Sequence, residues 1–179
     1  MNILVIDGSP RVGKNTDRLC DAFIEGAKSK GHTATKFRVA GKKINGCIHC
    51  MQCYKNGPCS QKDDMLPVYD MIEAADMVVL ASPIYFWDIT AQTKAVIDRM
   101  FALYVAGRFT PKQTAAIFVS GGKDMSNMTE AVDFYNNVII DKLHWVDRGY
   151  LTVTGTTPED FDVEAEGYLQ KAFELGAAL

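Results

Sequence analysis

The chain has 179 residues, 47% of them hydrophobic and 23% charged, with a net charge of −3. That length suits one domain with a sizeable buried core, and the composition is that of a globular protein. The slight acidity gives no electrostatic case for nucleic acid or an anionic membrane, and no apolar run approaches the ~20 residues of a membrane span.

The first residues, Met1-Asn2-Ile3-Leu4-Val5-Ile6, lack the basic region and cleavage site of a signal peptide, so the expected location is the cytoplasm. Residues 2 to 6 are nearly all apolar and end at Asp7-Gly8, as a strand buried on both faces does. From about Thr16 to Ser29 the apolar residues Leu19, Cys20, Phe23, Ile24 and Ala27 form a helical stripe, with Gly31 as its stop. Residues 33 to 39 read as a second strand, less hydrophobic and so nearer the sheet edge. Residues 41 to 64 hold three glycines, four cysteines and Asp63-Asp64 with no sustained period; a loop this long inside a compact domain is usually functional.

A short helix through Ile72 leads to Met77-Val78-Val79-Leu80-Ala81, the clearest buried strand, expected to end its pairing at Ser82-Pro83. A helix from about Thr90 to Leu103 precedes the strand Ala115 to Val119, which stops at Ser120-Gly121-Gly122. Met128, Val132, Tyr135, Ile139 and Leu143 then recur at helical spacing. A last strand covers roughly Gly149 to Thr154, and a final helix runs from about Pro158 to Leu175. Five strands alternating with helices predict one α/β domain over residues 1–179, a five-stranded parallel sheet with helices on both faces and a cysteine-rich insert at about 41–64. Ligands of such sheets sit at the carboxyl ends of the strands near the switch in strand order. The loops after residues 6, 81 and 119 are therefore expected to converge.

The first of these, Gly8-Ser9-Pro10-Arg11-Val12-Gly13-Lys14-Asn15-Thr16, is a glycine-containing turn from strand to helix, where backbone N–H groups meet the positive end of a helix dipole. Ser9 and Thr16 add hydroxyls, Asn15 an amide and Arg11 a charge, although a plain turn with Asn or Thr as helix cap has the same composition. Gly8-x4-Gly13-Lys14 comes within one residue of a nucleotide-triphosphatase loop. Asn15, however, stands where that motif needs a hydroxyl for magnesium, and Leu80-Ala81-Ser82 offers no carboxylate.

Gly8-Ser9-Pro10-Arg11 with Asn15-Thr16, then Ser82-Pro83-Ile84-Tyr85-Phe86 with Gln92 to Arg99 behind it, then Ser120-Gly121-Gly122, together resemble the NADPH-dependent FMN reductase and multimeric flavodoxin family. The resemblance spans about 120 residues in matching order, and it is the combination that is specific. It implies a flavodoxin-like fold holding FMN. Ser9, Arg11, Asn15 and Thr16 would hold the 5′-phosphate; Pro83, Ile84, Tyr85, Phe86 and Trp87 would line the ribityl chain and isoalloxazine; Ser120, Gly121 and Gly122 would meet the polar edge of the ring. A flat aromatic cofactor needs apolar stacking, and close backbone approach favours glycine. Lys94, Asp98 and Arg99 read as structural residues of their helix, and His32, His49 and His144 make no catalytic constellation.

Cys47-x2-Cys50-x2-Cys53-x5-Cys59 subdivides the family. Four soft thiolates this close can surround one metal centre. The pattern is similar to that of iron–sulfur flavoproteins, a branch that carries [4Fe-4S] beside FMN. Zinc, and free or reversibly paired thiols, are the alternatives. Cys20 reads as a buried helix residue.

Two functional classes follow. One is an FMN-dependent oxidoreductase taking electrons from NAD(P)H or ferredoxin and passing them on, with the cysteine centre as a second station. The other is a non-enzymatic flavodoxin-like carrier or redox-sensing protein. In either, the chemistry belongs to the cofactor, so no acid or base residue is nominated. The resemblance also implies a homodimer or homotetramer.

Overall fold

Strand β1 (Asn2–Asp7) is buried at every residue after Asn2, and the computed structural model describes residues 1–157, 161–164 and 166–179. Helix α1 (Asn15–Ser29) and strand β2 (Thr33–Arg38) follow. The cysteine-rich stretch contains one short helix, α2 (Gln52–Asn56), that its sequence does not signal. Next come α3 (Leu66–Ala74), β3 (Met77–Tyr85), the two-residue β4 (Asp88–Ile89), α4 (Ala91–Arg99) and α5 (Phe101–Val105). The rest of the chain forms β5 (Gln113–Val119), α6 (Thr129–Phe134) running on as a π-helix (Tyr135–Lys142), β6 (Val146–Val153) and α7 (Tyr168–Ala177).

Five strands pair in parallel in the order β2-β1-β3-β5-β6, the flavodoxin-like order, with β4 added antiparallel to the end of β3. Alternation along the central strands feeds two cores. Ile3, Val5, Met77, Val79, Ala115 and Ile117 face α1 and α7, whereas Leu4, Ile6, Val78, Leu80, Ala116 and Phe118 face the opposite helix layer. Helices α1 and α7 approach closely through glycines: a Cβ at Gly26 would lie 2.0 Å from the Phe173 carbonyl oxygen, and one at Gly176 2.1 Å from that of Phe23. As its weaker hydrophobicity implied, β2 lies at one edge.

Several boundaries differ from expectation. Strand β3 does not end at Ser82-Pro83: Ser82 pairs with Phe118 and Pro83 with Val119. Backbone groups alternate sides along a strand, and the Ala81 carbonyl already faces β1, accepting from Gly8 N–H at 2.8 Å. Pro83 therefore faces the same side two residues later, where β1 has ended and no donor is required. The helix expected to Leu103 is interrupted at Met100, and the helix after β5 widens into a π-helix at Tyr135. The last strand starts earlier, at Val146, and the last helix later, at Tyr168; Pro158, Glu159 and Asp160, expected in its first turn, lie outside the described residues. No helix among the described residues is long and apolar enough to cross a membrane.

Candidate functional site

Strands β1, β3 and β5 are neighbours, so the loops that follow them share one edge of the sheet at the switch in strand order between β1 and β3. The convergence expected from sequence is present, and hydrogen bonds join the first two loops. Thr90 Oγ1, at the N-cap of α4, donates to the Gly8 carbonyl at 2.9 Å, and Thr90 N–H donates to Ser82 Oγ at 3.0 Å. Gly8 admits this contact because it has no side chain: a Cβ there would lie 1.7 Å from Thr93 Oγ1.

The loop after β1 closes on itself. Ser9 Oγ accepts from Arg11 N–H at 3.2 Å, Ser9 N–H donates to Asp7 Oδ1 at 2.9 Å, and Gly13 N–H donates to Asp17 Oδ2 at 2.6 Å. Ser9 and Thr16 are buried and Arg11 is exposed, with Asn15 half-buried as the first residue of α1. The N-cap position falls on Lys14, not on Asn15 or Thr16, and makes no side-chain cap bond. The start of a 15-residue helix is thus left without the side-chain oxygen that usually serves its first N–H groups. Arg11 and Lys14 are both exposed beside this helix start, where backbone N–H groups meet the positive end of the helix dipole.

Beneath the loop lies a charge network that sequence reading did not identify. Asp7 is fully buried, and Asp17 nearly so. Lys36 Nζ sits 2.5 Å from Asp17 Oδ1, and Arg38 Nη2 lies 2.7 Å from the same oxygen and 2.9 Å from Oδ2. Burial alone would raise the Asp17 carboxyl, but Lys36, the Gly13 N–H and Arg38 overcome it and hold the group well below the usual carboxylate range. Burial, aided by the neighbouring Asp17 charge, pushes Asp7 up to about 6. The signal available in sequence was an aspartate closing a strand buried on both faces.

The second loop carries the aromatic residues. Tyr85 pairs with Asp88 across a two-residue turn whose central residues, Phe86 (φ 52°) and Trp87 (φ 68°), both lie in the left-handed region. Such hairpin turns favour Asn-Gly. Here two aromatic side chains occupy them, edge to face at 5.0 Å, with Phe86 92% and Trp87 52% exposed. Strain held by non-glycine residues in a sparsely populated region tends to mark functional turns. Pro83 is buried, Ile84 half-buried and Tyr85 exposed.

In the third loop Ser120 is buried, and its Oγ accepts from Gly122 N–H at 3.1 Å. The Gly121 carbonyl accepts from Thr157 Oγ1 at 2.7 Å and the Gly122 carbonyl from Gly155 N–H at 2.6 Å. Much of this loop's backbone is therefore engaged within the protein. A Cβ at Gly122 would meet the Asn127 amide within 2.5 Å, and one at Gly121 would lie 2.6 Å from Thr157 Oγ1, so both glycines sit against neighbouring side chains.

The cysteine loop leaves the body at Asn45 and rejoins it at Asp63. Cys47 and Cys50 are exposed, whereas Cys53 and Cys59 are half-buried against the core. Cys50 Sγ lies 3.2 Å from Ser60 Oγ, a contact that lowers its thiol, while burial raises Cys53. His49 and Met51, on either side of Cys50, are both left-handed. Among the described residues no three His, Cys, Asp or Glu side chains come together as a ligand group, so the four thiols are neighbours in sequence without forming a cage. Cys20 is buried in α1, as expected. A cavity of about 340 Å³ between α4, α5 and the π-helix draws on none of the three strand-end loops.

Comparison with known proteins gives a consistent outcome. The family described as NADPH-dependent FMN reductase matches residues 1–138. An iron-sulfur flavoprotein of Archaeoglobus fulgidus is 33% identical over 179 residues, 100% of this chain and 79% of that protein. Another, from Methanocaldococcus jannaschii, is 28% identical over 143 residues, 80% of this chain and 74% of its own length. Among solved structures, the NAD(P)H:quinone oxidoreductase from Methanothermobacter marburgensis superposes with a TM-score of 0.82 over 99% of this chain and 94% of that one, at 16% identity. The last likeness is one of fold.

Proposed function

Because the chain belongs to the NADPH-dependent FMN reductase family and is a flavin-dependent oxidoreductase, we propose that it binds FMN at the shared edge of β1, β3 and β5 and takes electrons from NAD(P)H. The observation that carries this placement is the uncapped start of α1, with Gly13 left-handed and Arg11 and Lys14 exposed beside it. Ser9, Arg11, Asn15 and Thr16 hold the 5′-phosphate there. Pro83, Ile84, Tyr85, Phe86 and Trp87 line the ribityl chain and the ring, and Ser120, Gly121 and Gly122 bound its polar edge. Bound FMN supplies the ability to accept a hydride and release single electrons; the protein's part is to orient the ring and shield it from water.

Cys47, Cys50, Cys53 and Cys59 hold a [4Fe-4S] cluster in this reading. Four soft thiolates match the donor set such a centre needs, and the relatives above are named for one. Cys53 and Cys59 are held against the core and Cys47 and Cys50 are exposed, so the four thiols would be gathered by the centre they bind. The loop is also cationic and partly apolar: Lys42, Lys43, Lys55 and Lys62 are exposed, as are Ile48 and Tyr54. That surface favours an acidic one-electron protein such as ferredoxin as an additional donor. A homodimer or homotetramer in the cytoplasm completes the proposal.

Anaerobic purification followed by an absorbance spectrum with iron and sulfide analysis tests it. FMN bands with about four irons per chain are the expected result. Flavin bands without iron would remove the cluster, and a colourless protein that takes up no added FMN would remove the whole reading.

A further inference from the structure

One helix holds both loops. At the start of α4, Thr90 bonds to Gly8 of the phosphate loop and to Ser82, and Thr93 Oγ1 donates to Ser82 Oγ at 3.3 Å. At its end, Arg99 is almost completely buried, and its guanidinium faces the neck of the cysteine loop. Nη1 donates to Asp63 Oδ2 at 2.7 Å and to the Asn45 carbonyl at 2.9 Å; Nη2 donates to Asp63 Oδ1 at 3.0 Å; Nε donates to Tyr69 Oη at 3.2 Å. Asp63 in turn accepts from Asn45 N–H at 3.1 Å. One step further out, Asp64 Oδ2 accepts from Lys43 N–H at 2.7 Å, and Asp64 N–H donates to the Lys43 carbonyl at 3.1 Å. All four loop cysteines lie between Asn45 and Asp63.

A buried arginine is costly unless its donors are met, and apolar side chains would fill the same space at lower cost. What the guanidinium adds is a planar fork that ties both strands of the neck to one point, which lysine cannot reproduce. We infer that Arg99 is the positioning residue of the cysteine loop, fixing its neck to the helix that braces the FMN phosphate loop. Thr90 and Arg99 are nine residues apart, so the two attachments are separated along the helix by roughly 14 Å. The inference rests on reading these loops as the FMN site and the cysteine centre, although the neck itself is independent of what the thiols hold.

The test uses the full chain and two variants, Arg99→Lys and the double replacement Arg99→Met with Asp63→Leu, which removes the ion pair without stranding a charge. Three quantities are read: amide hydrogen exchange over residues 44–64 and 8–17, labelling of the loop thiols by a disulfide reagent in metal-free protein, and iron taken up per chain on anaerobic reconstitution. In both variants, exchange over 44–64 and labelling of the half-buried Cys53 and Cys59 are expected to quicken about tenfold, while FMN affinity stays within about twofold and residues 8–17 keep their protection. Iron uptake falls below about half of the parent value, with Arg99→Lys less affected than the double variant. Unchanged labelling and exchange over 44–64 in the double variant would overturn the inference. Loosening of residues 8–17 in step with the loop would do the same, because Arg99 would then support the fold at large. A wild-type chain that binds neither FMN nor iron would fail the functional reading alone, since exchange and labelling need neither.

Discussion

The phosphate loop and the cysteine loop both leave the carboxyl edge of the same sheet, yet they are built on different principles. The first is fixed along its length: Asp7 takes Ser9 N–H, Asp17 takes Gly13 N–H, and Thr90 takes the Gly8 carbonyl. The second is fixed at its neck by Arg99 and Asp63, while its tip presents Cys47, Cys50, Ile48 and Tyr54 to solvent. A loop proposed to receive a rigid phosphate has its shape set in advance by the protein. The cysteine loop is held at its neck and where Cys53 and Cys59 meet the core, and the positions of Cys47 and Cys50 are left to solvent.

Substituting the residue that lets helix α4 touch the phosphate loop gives the largest expected effect. In Gly8→Ala the new methyl would overlap Thr93 Oγ1 and crowd the Ala81 carbonyl oxygen at 3.1 Å, a backbone atom that cannot rotate away. Stability should fall by about 3 kcal/mol, with FMN retention lost, as seen by urea unfolding and flavin fluorescence. Tolerance of alanine there would mean that the phosphate loop is no better determined than the cysteine loop.

Next comes the buried carboxylate pair. Asp7 titrates near 6 in the fold against an ordinary 3.8, so between these values the folded chain binds more protons than the unfolded one. Stability from this group must therefore decline as pH rises from about 4 to about 6, by roughly 2–3 kcal/mol. Asp17 has the opposite sign, since its folded value is depressed: its contribution is present above about 4 and is lost on further acidification. Asp7→Asn keeps an acceptor for Ser9 N–H and should remove the decline between pH 4 and 6. A parent and variant with parallel stability profiles would show that Asp7 is already ionised in the fold.

How much of this was legible in the sequence follows from the range of each interaction. The parallel sheet and the convergent loops were readable because Ile3 to Ile6, Met77 to Ala81 and Ala115 to Val119 are short apolar runs, as strands covered on both faces require. The Lys94–Asp98 pair was readable because its partners are one helical turn apart, and they sit at 2.5 Å. The Asp17–Lys36–Arg38 network and the Arg99–Asp63 latch were not, since their partners lie on separate elements and only the tertiary fold joins them. Arg99 was read as structural, which its burial bears out, but nothing near it in sequence named the loop it holds. Pro83 inside β3 was misread because proline's missing donor matters only where a neighbouring strand needs it.

The smallest effect concerns the aromatic turn, and it separates folding from function. Phe86 and Trp87 occupy positions where the backbone favours Asn and Gly, and their rings are exposed instead of packed in the core. Replacing them with Phe86→Asn and Trp87→Gly should relieve the left-handed strain at little packing cost. The fold should gain about 1 kcal/mol in thermal or urea unfolding. If the rings cover the flavin, the same change weakens FMN binding by about tenfold, the loss expected when one aromatic contact of roughly 1.5 kcal/mol is removed. A variant that gains stability and keeps its flavin would mean that the strain serves another surface. One that loses both would mean that Phe86 and Trp87 belong to the fold. Opposed signs are the outcome that ties this turn to the phosphate loop as one site, shaped by the protein before the cofactor arrives.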